Sequence, residues 1–349
     1  MTSALIQFDG SYGEGGGALI RTALVMASLT QQSCRIEGVR AGTSHPGVDL
    51  EDVALVQLLN KACQAEAVGL EHGSPSLMFV PGKKHSAVRG DFKVESFMGR
   101  QPNAMVILNA LVPLLARTGA YSSLKFQGET FGRRALGFDY FRDVTCRVFA
   151  KMGLGVFPEL IRAGYGREMP GMVGLEVEPS AIQGINWTQR GGLIGLHGVI
   201  TTSNLPSTVG DRGRAHLRTL AQKLGLKIDV ELQDVPGEHP GAHATVYAVY
   251  ENGLGGGTQM GSRGVRIETI VQQAFEECAR WMATDATIDP FLADQIIIPA
   301  VLADGSSSFK VSELTPRLLT AIWVIKQFLP IHITVVGAEG HPGTIQVRR

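Results

Sequence analysis

Hydrophobic positions along the chain alternate between a spacing of two and a helical spacing, and this alternation predicts an order of elements that recurs. Residues 4–82 predict strand, helix, strand, helix and two further strands. These are Ala4–Phe8, Gly17–Leu29, Cys34–Val39, Asp49–Ala65, Ala67–Leu70 and Ser76–Val80. The same order follows in Phe92–Phe97, Asn103–Arg117, Ser122–Gln127, Gly137–Met152, Gly155–Ile161 and Gly174–Val177. Two successive βαβαββ units indicate an internal repeat.

A third copy of this unit begins and is then interrupted. Ile185–Thr188 predicts its first strand, but its first helix comes only at Pro290–Ala303. The unit resumes with strand Ser308–Val311, helix Arg317–Phe328 and hairpin strands His332–Gly337 and Gly343–Val347. The interrupting segment predicts strand Leu193–Thr202, helix Val209–Leu224, strands Lys227–Gln233 and Ala244–Glu251, and helix Arg266–Thr284.

These patterns predict an α/β (α+β) fold, in which a large domain of three repeated βαβαββ units carries a smaller inserted βαββα domain. The large domain takes residues 1–189 and 286–349, as units 1–83, 90–180, and 185–189 plus 286–349, and the inserted α/β domain takes residues 190–285. Glycines at the entry to the insertion, and between Gly253 and Gly257 before its last helix, favour turns there. A length of 349 residues agrees with more than one core.

Charge and composition narrow the function classes. The 32 basic and 32 acidic residues cancel, so a polyanionic partner has to be held by a local patch. Four widely spaced cysteines, none in a C-x-x-C pair, indicate buried thiols in a reducing compartment. The chain begins without a signal-peptide pattern, and its longest apolar run, Met105–Ala116, is too short to cross a bilayer. We therefore expect a cytoplasmic protein without a membrane partner, whose oligomeric state is open.

A glycine-rich turn between the first predicted strand and helix is the main candidate for chemistry. Four glycines lie from Gly13 to Gly17, interrupted only by Glu14, and Arg21 follows in the helix. Such a turn presents backbone N–H groups at a helix start, where anions are favoured. A close-packed connection and a phosphate site both remain open. A G-x-G-x-x-A dinucleotide fingerprint, with Glu37 as its acid, is disfavoured because the repeat provides no doubly wound parallel sheet.

Four groups of residues together resemble the RNA 3'-terminal phosphate cyclases, and the similarity spans essentially the whole chain. They are Asp9-Gly10-Ser11, the glycine turn with Glu14 and Arg21, Arg40-Ala41-Gly42 with Pro46-Gly47, and Leu292-Ala293-Asp294-Gln295. The resemblance implies the repeated large domain and the inserted domain of that family. It also implies an ATP-dependent reaction with Mg²⁺ or Mn²⁺, in which a histidine attacks the α-phosphorus of ATP. The adenylate then passes to an RNA 3'-phosphate, and the 2'-hydroxyl closes a 2',3'-cyclic phosphate.

The chain departs from this family at the position of the nucleophile, where Arg317 replaces the histidine. A guanidinium stays protonated and presents no lone pair to phosphorus. His45, on a predicted loop, is a weak substitute. Further departures are Thr43 for an arginine, Glu51 and Asp52 for a Gln-His pair, Asn109 for a glutamine, Phe291 for a tyrosine, and the altered turn at residues 164–171. The added carboxylates are expected to repel a triphosphate.

The residues that the resemblance retains are predicted to bind nucleotide or phosphate. They are Glu14, Arg21, Arg40, Asp294 and Gln295. Glu14 and Asp294 are also weak metal candidates, with helix-dipole complementarity as the alternative. For the two arginines, pairing with Glu14 is the alternative. Arg317 is expected either to face solvent or to hold a phosphate. Arg133 and Arg134, ahead of a basic helix face, predict RNA-backbone contacts, with a solvated face as the alternative.

Three functions stay open from the sequence. The first is an RNA 3'-phosphate cyclase of the ATP-dependent ligase class with an altered site. The second is a non-catalytic cyclase-like protein that binds RNA in processing or assembly, with a possible protein partner on the inserted domain. The third is a cleft redirected to a small phosphorylated ligand, by analogy with the enolpyruvyl transferases, which share similar repeated units.

Overall fold

Three sheets of four strands with one shared topology make up most of the structure in the described residues. The computed structural model describes residues 5–82 and 85–348. In the first sheet the first two strands are parallel, and the other neighbours are antiparallel. Its elements are β1 (Ile6–Asp9), α1 (Gly17–Thr30), β2 (Cys34–Glu37), α2 (Leu50–Cys63), β3 (Glu66–Val68) and β4 (Ser76–Val80), in the sheet order β1-β2-β4-β3.

The second unit repeats this arrangement, with the sheet order β5-β6-β8-β7. Its elements are β5 (Arg89–Phe92), α3 (Ala104–Leu115), β6 (Ser122–Gly128), α4 (Phe138–Tyr140), a π-helical segment (Phe141–Thr145), α5 (Cys146–Lys151), β7 (Val156–Arg162) and β8 (Gly171–Val177). The predicted helix over 137–152 is therefore one helical stretch with a π-helical turn at its centre.

The third unit begins with β9 (Asn186–Trp187) and continues only after an insertion with its own sheet. The insertion contains β10 (Leu193–Ser203), α6 (Ser207–Lys223), β11 (Asp229–Asp234), β12 (Gly241–Tyr250), β13 (Gly253–Met260) and α7 (Ile267–Met282), in the sheet order β11-β10-β12-β13. The third unit resumes with α8 (Pro290–Leu302), β14 (Ser307–Val311), α9 (Pro316–Phe328), β15 (His332–Val336) and β16 (Gly343–Arg348). Its order, β9-β14-β16-β15, matches the first two units, which confirms the predicted α/β fold of repeated units.

The helices of the three units pack on one another and share a core. Helix α1 contacts α2, α3 and α9, and α8 contacts α3 and α9. Buried apolar residues from every unit join this core, including Leu24, Leu55, Leu108 and Ile297. The inserted elements form a second core around their own sheet. The predicted boundaries at residues 190 and 285 stay predictions.

The insertion has one strand more than its sequence pattern predicts, so its order is βαβββα instead of βαββα. The missing strand is β13, whose glycines favoured a turn in the sequence. A Cβ at Gly255 would lie 2.8 Å from ring atoms of Trp281, and one at Gly257 would lie 2.4 Å from the carbonyl oxygen of Ala274. Glycine is thus required because α7 packs directly on the strand, and glycine weakens any strand signal.

The second unit also starts earlier than predicted. Its first strand is Arg89–Phe92 instead of Phe92–Phe97. The strand does not extend to Phe97, because Phe97 pairs with Arg100 across a tight turn in which Met98 has φ of +51°. Ala4 of the first predicted strand and Lys83 at the end of the first predicted unit lie outside the described residues. The four cysteines are free thiols, and Cys146 is only half-buried. No helix among the described residues is long and apolar enough to span a bilayer.

Candidate functional site

A cleft of about 960 Å³ lies where the N-terminal turns of five helices of the described chain converge. Residues from the starts of α1, α2, α3, α8 and α9 line it. Asp49, Asn103 and Thr315 cap α2, α3 and α9 through their side chains, and Asp289 caps α8. The N-terminal end of a helix carries partial positive charge, and at α2 and α8 the carboxylates of Asp49 and Asp289 already meet part of it.

Six carboxylates line this cleft in the described chain, and the arginines outnumber them by one. The described residues that line it include seven: Arg21, Arg40, Arg100, Arg133, Arg134, Arg167 and Arg317. Three of them, Arg40, Arg167 and Arg317, form ion pairs with carboxylates of the protein. Within residues 5–82 and 85–348, the other four make no side-chain hydrogen bond or ion pair.

The glycine turn fixes Glu14 at the start of α1. Gly13 and Gly15 have φ of +64° and +59°, a conformation that favours glycine. The Glu14 backbone N–H donates to Thr320 Oγ1 at 3.0 Å, and Glu14 Oε1 accepts from the Ala18 N–H at 2.6 Å. The Glu14 side chain therefore caps α1, and its other oxygen, Oε2, faces Arg317.

Arg317 bridges two carboxylates from different elements. Its Nε lies 3.7 Å from Glu14 Oε2, and its Nη1 donates to Asp294 Oδ2 at 3.4 Å. Burial raises the pKa of Asp294 to about 6, against the opposing effect of Arg317. The second oxygen of Asp294, Oδ1, is buried and has no hydrogen-bond partner among the described residues. Arg317 thus contacts both predicted metal candidates and does not simply face solvent.

Arg21 is half-buried and faces the cleft without a protein acceptor in the described chain. Its guanidinium lies against the start of α1, where a Cβ at Gly17 would come within 2.3 Å of Arg21 Nη1. Burial lowers the pKa of Arg21, the charge of Arg317 lowers it further, and Glu14 opposes both. A half-buried guanidinium that makes no hydrogen bond or ion pair in the described chain leaves its donors unused, so an anionic ligand would stabilise it.

Arg40 pairs with Asp52, and not with Glu14 as one of the two sequence-based alternatives had it. Its Nη1 and Nη2 lie 2.5 and 3.0 Å from the two oxygens of Asp52, and Nη1 also donates to the Gly47 carbonyl at 2.9 Å. The carboxylate expected to repel a triphosphate is therefore neutralised by an arginine expected to attract one. Phosphate binding by Arg40 stays a prediction.

A second ion pair, which sequence reasoning missed, also lines the cleft. Arg167 Nη2 donates to Glu51 Oε1 at 2.6 Å, and Nη1 donates to Asp49 Oδ2 at 3.4 Å. Burial and the charge of Asp49 raise the pKa of Glu51 to about 7, while Arg167 opposes this. The N–H of Asn103 also donates to Glu51 Oε1, at 3.1 Å. Nothing in the sequence near Arg167 indicates this partner, since the two belong to different units.

Of the two predicted residues Gln295 and His45, Gln295 lines the cleft and His45 does not. Gln295 lines the cleft, but its Oε1 accepts from Thr145 Oγ1 at 2.5 Å and its Nε2 donates to the Phe291 carbonyl at 2.9 Å. His45 is exposed, lies 2.9 Å from Ser44 Oγ through Nδ1, and is not among the cleft residues. No histidine of the described chain lines the cleft.

Arg133 and Arg134 lie exposed at the edge of the cleft and line it. The rest of the predicted basic face lies apart from them. Arg142 pairs with Asp143 at 2.6 Å, and Arg147 lies over the ring of Tyr247. The two exposed arginines therefore belong with the cleft and not with a continuous basic helix.

The described residues do not fit a resident divalent cation. They contain no group of three or more His, Cys, Asp or Glu side chains placed to hold a metal ion. Glu14 and Asp294, the two predicted ligands, are joined through Arg317. A second cleft of about 920 Å³ shares these three residues and Phe291 with the first, so Arg317 lies between two solvent-accessible spaces.

Comparison with protein-family models matches residues 12–335 to the family described as RTC: RNA 3'-terminal phosphate cyclase. Among curated proteins, an RNA 3'-terminal phosphate cyclase of Methylococcus capsulatus is 32% identical, over 98% of this chain and 96% of that protein. Proteins of the same name from Ralstonia nicotianae and Methanopyrus kandleri are 33% and 29% identical, over 98% and 99% of this chain and 96% and 99% of their own lengths.

Among solved structures, the enolpyruvyl transferase NikO from Streptomyces tendae overlaps with a TM-score of 0.36 at 11% identity, over 99% of this chain and 48% of that chain. Similarity at this level supports no argument about function.

Proposed function

The chain belongs to the RNA 3'-terminal phosphate cyclase family, and from this premise we propose that it binds the phosphorylated 3' end of an RNA in the arginine-lined cleft without forming an adenylate. The observation that carries the proposal is Arg21. It is half-buried at a helix start, faces the cleft and has no acceptor within the described residues. A phosphate oxygen supplies the acceptor and the charge that this guanidinium lacks.

The arrangement of the arginines favours a terminal phosphate with a chain attached. A phosphomonoester carries about −1.5 to −2 charges near neutral pH and suits the recessed Arg21 beside the helix N-termini. The exposed Arg100, Arg133 and Arg134 suit the single charges of successive phosphodiesters. A small phosphorylated ligand would leave these three arginines without a role.

The absence of adenylate formation follows from the chemistry of the side chains present. Arg317 carries a guanidinium, which presents no lone pair, so it cannot attack phosphorus. Neither cleft is lined by a histidine of the described chain, and His45 lies outside both. The relatives are named for a cyclase reaction, which in this chain would need a different nucleophile.

Binding is tested by fluorescence anisotropy with a labelled RNA oligonucleotide that ends in a 3'-phosphate, compared with the same RNA ending in a 3'-hydroxyl. We expect the 3'-phosphate to bind at least about tenfold more tightly, because it adds a charge-assisted contact to Arg21. Equal affinities would contradict recognition of the terminal phosphate. Competition by inorganic phosphate or glucose 6-phosphate as strong as that by unlabelled RNA would favour a small phosphorylated ligand instead.

The catalytic part of the proposal needs a separate measurement. The protein is incubated with ATP and Mg²⁺ or Mn²⁺, with and without the 3'-phosphorylated RNA, and both are examined by intact-mass analysis. We expect neither an adenylated protein nor an RNA that has lost water through cyclisation. Either product would show that another nucleophile acts and would restore the cyclase activity.

A further inference from the structure

We infer that Arg317 takes the place of a divalent cation between Glu14 and Asp294, so that the cleft binds its phosphate ligand independently of Mg²⁺ or Mn²⁺. The ligand in this inference rests on the proposed function. The part that concerns metal binding is a property of the protein alone and can be tested without RNA.

The geometry of the bridge is that of one cation shared by two carboxylates. Glu14 precedes α1, Asp294 lies in the first turns of α8, and Arg317 lies in the first turn of α9. The guanidinium reaches one oxygen of each acid, at 3.7 and 3.4 Å. A planar guanidinium has several N–H donors and is suited to contact two carboxylates at once. An imidazole at the same position has only two nitrogens, on opposite sides of its ring.

The charges around the bridge show why a cation is needed there. Glu14 and Asp294 place two negative charges in the lining of the cleft that also contains Arg21. Without compensation they would repel a phosphate that approaches Arg21. Arg317 supplies one positive charge and Arg21 a second, so these four side chains are neutral together. In a chain without the arginine, an ion from solution would have to supply that compensation.

Asp294 depends on Arg317 more than Glu14 does. Glu14 is also held by the Ala18 N–H, but Asp294 Oδ2 is engaged by Arg317, and Asp294 Oδ1 is buried with no partner in the described chain. A buried carboxylate that loses its only cation is left with the full desolvation cost, so it takes up a proton or another cation. The side chain of Arg317 is 42% exposed, so an ion can reach the position once the arginine is removed.

The first experiment measures Mn²⁺ binding by electron paramagnetic resonance, without RNA. We expect the wild-type protein to leave Mn²⁺ free, and Arg317→Met to bind it at least about tenfold more tightly, because the two carboxylates are then uncompensated. Adding Asp294→Asn to Arg317→Met should abolish the tighter Mn²⁺ binding. Arg162→Met is the matched control, since it frees a single exposed acid, Glu238, away from the cleft.

Two results of this experiment would overturn the inference. One is Mn²⁺ binding by the wild-type protein as tight as that of Arg317→Met. The other is an Arg317→Met protein that leaves Mn²⁺ free although its circular dichroism matches the wild type. Arg317→Lys provides a second test if the methionine variant does not fold. It keeps a positive charge between the acids, and Mn²⁺ binding by this variant would also contradict the inference.

The second experiment adds the ligand. Anisotropy with the 3'-phosphorylated RNA is measured in EDTA, in Mg²⁺ and in Mn²⁺ at constant ionic strength. We expect the wild-type Kd to agree within about twofold across the three, and the Kd of Arg317→Met to improve on adding Mn²⁺. A wild-type affinity that falls at least about tenfold in EDTA would overturn metal independence. If no RNA binds under any condition, the proposed function fails, while the Mn²⁺ measurement still decides the role of Arg317.

Discussion

Arg40 and Asp52 form a two-point ion pair in the protein interior, with their nitrogen–oxygen distances at 2.5 and 3.0 Å. Asp52 Oδ2 also accepts from the Asp49 N–H at 2.9 Å, which completes the cap of α2. The pair therefore holds the loop after β2 against the start of α2, at the edge of the cleft. Its first role is structural, because it fixes two elements from which cleft residues project.

Removing the charge of Asp52 is expected to destabilise the protein strongly. Asp52→Asn keeps an oxygen for the α2 cap but leaves Arg40 buried without its ion-pair partner, which costs about 3 to 5 kcal/mol. Urea denaturation measures the change in the free energy of unfolding. Glu37→Gln is the matched control, because the Arg35–Glu37 pair is about half exposed and should contribute less than about 1 kcal/mol. Equal effects of the two substitutions would contradict a structural role for the buried pair.

The sequence predicts the repeated units well, because their signals are local. Amphipathic spacing and the glycine turn act within a few residues, and the three equivalent units support one another. Strand β13 escaped prediction because its glycines are required by the packing of α7, which lies later in the chain. The residues of a strand do not show that a helix later in the chain packs closely against it.

The sequence groups several residues that line the cleft, but it does not show how they pair. Arg21, Glu14, Asp294 and Arg317 do lie together, but which acid holds which arginine depends on backbone geometry. Arg40 has φ of +51°, and this uncommon conformation accompanies the pairing with Asp52 instead of Glu14. The residues of the second unit that line the cleft, such as Arg100, come from loops whose position only the packing of the units determines.

Arg21 should affect ligand binding and not stability. Arg21→Met keeps the length of the side chain but removes the unpaired charge, so we expect the affinity for 3'-phosphorylated RNA to fall at least about tenfold. The free energy of unfolding should change little, since the Arg21 side chain makes no hydrogen bond or ion pair in the described chain. Arg218→Met, an exposed arginine on α6, is the control for a general loss of charge. A large loss of stability with unchanged affinity would show that Arg21 is structural.

Glu51 should make stability depend on pH. Because burial raises its pKa in the folded protein to about 7, above its ordinary value of 4.5, the folded state favours the protonated acid. This contribution is fully present below pH 4.5 and is lost as the pH rises through 7, by at most about 3 kcal/mol. Glu51→Gln removes the titration and keeps an acceptor for the Asn103 N–H.

The test for Glu51 compares urea denaturation of the wild type and Glu51→Gln at pH 5 and pH 8. The wild type should lose more stability between the two pH values than the variant does, and the difference isolates Glu51 from all other titrating groups. Identical pH dependence in both proteins would mean that Arg167 holds Glu51 ionised across this range.

Arg133 and Arg134 should contribute to affinity through phosphodiesters alone. Each contact with a single-stranded RNA phosphate lowers the slope of log affinity against log salt by about 0.7, so Arg133→Met/Arg134→Met should make that slope shallower by about 1.4. The loss of affinity should be equal for RNA with a 3'-phosphate and a 3'-hydroxyl, because neither arginine is recessed beside Arg21. The control is Arg142→Met, which removes a nearby cation already paired with Asp143 and should leave the slope unchanged. If the double variant loses only the preference for the 3'-phosphate, both arginines contact the terminal phosphate instead. If the slope is unchanged, they contact no RNA phosphate and belong to a solvated surface, which is the alternative given by the sequence.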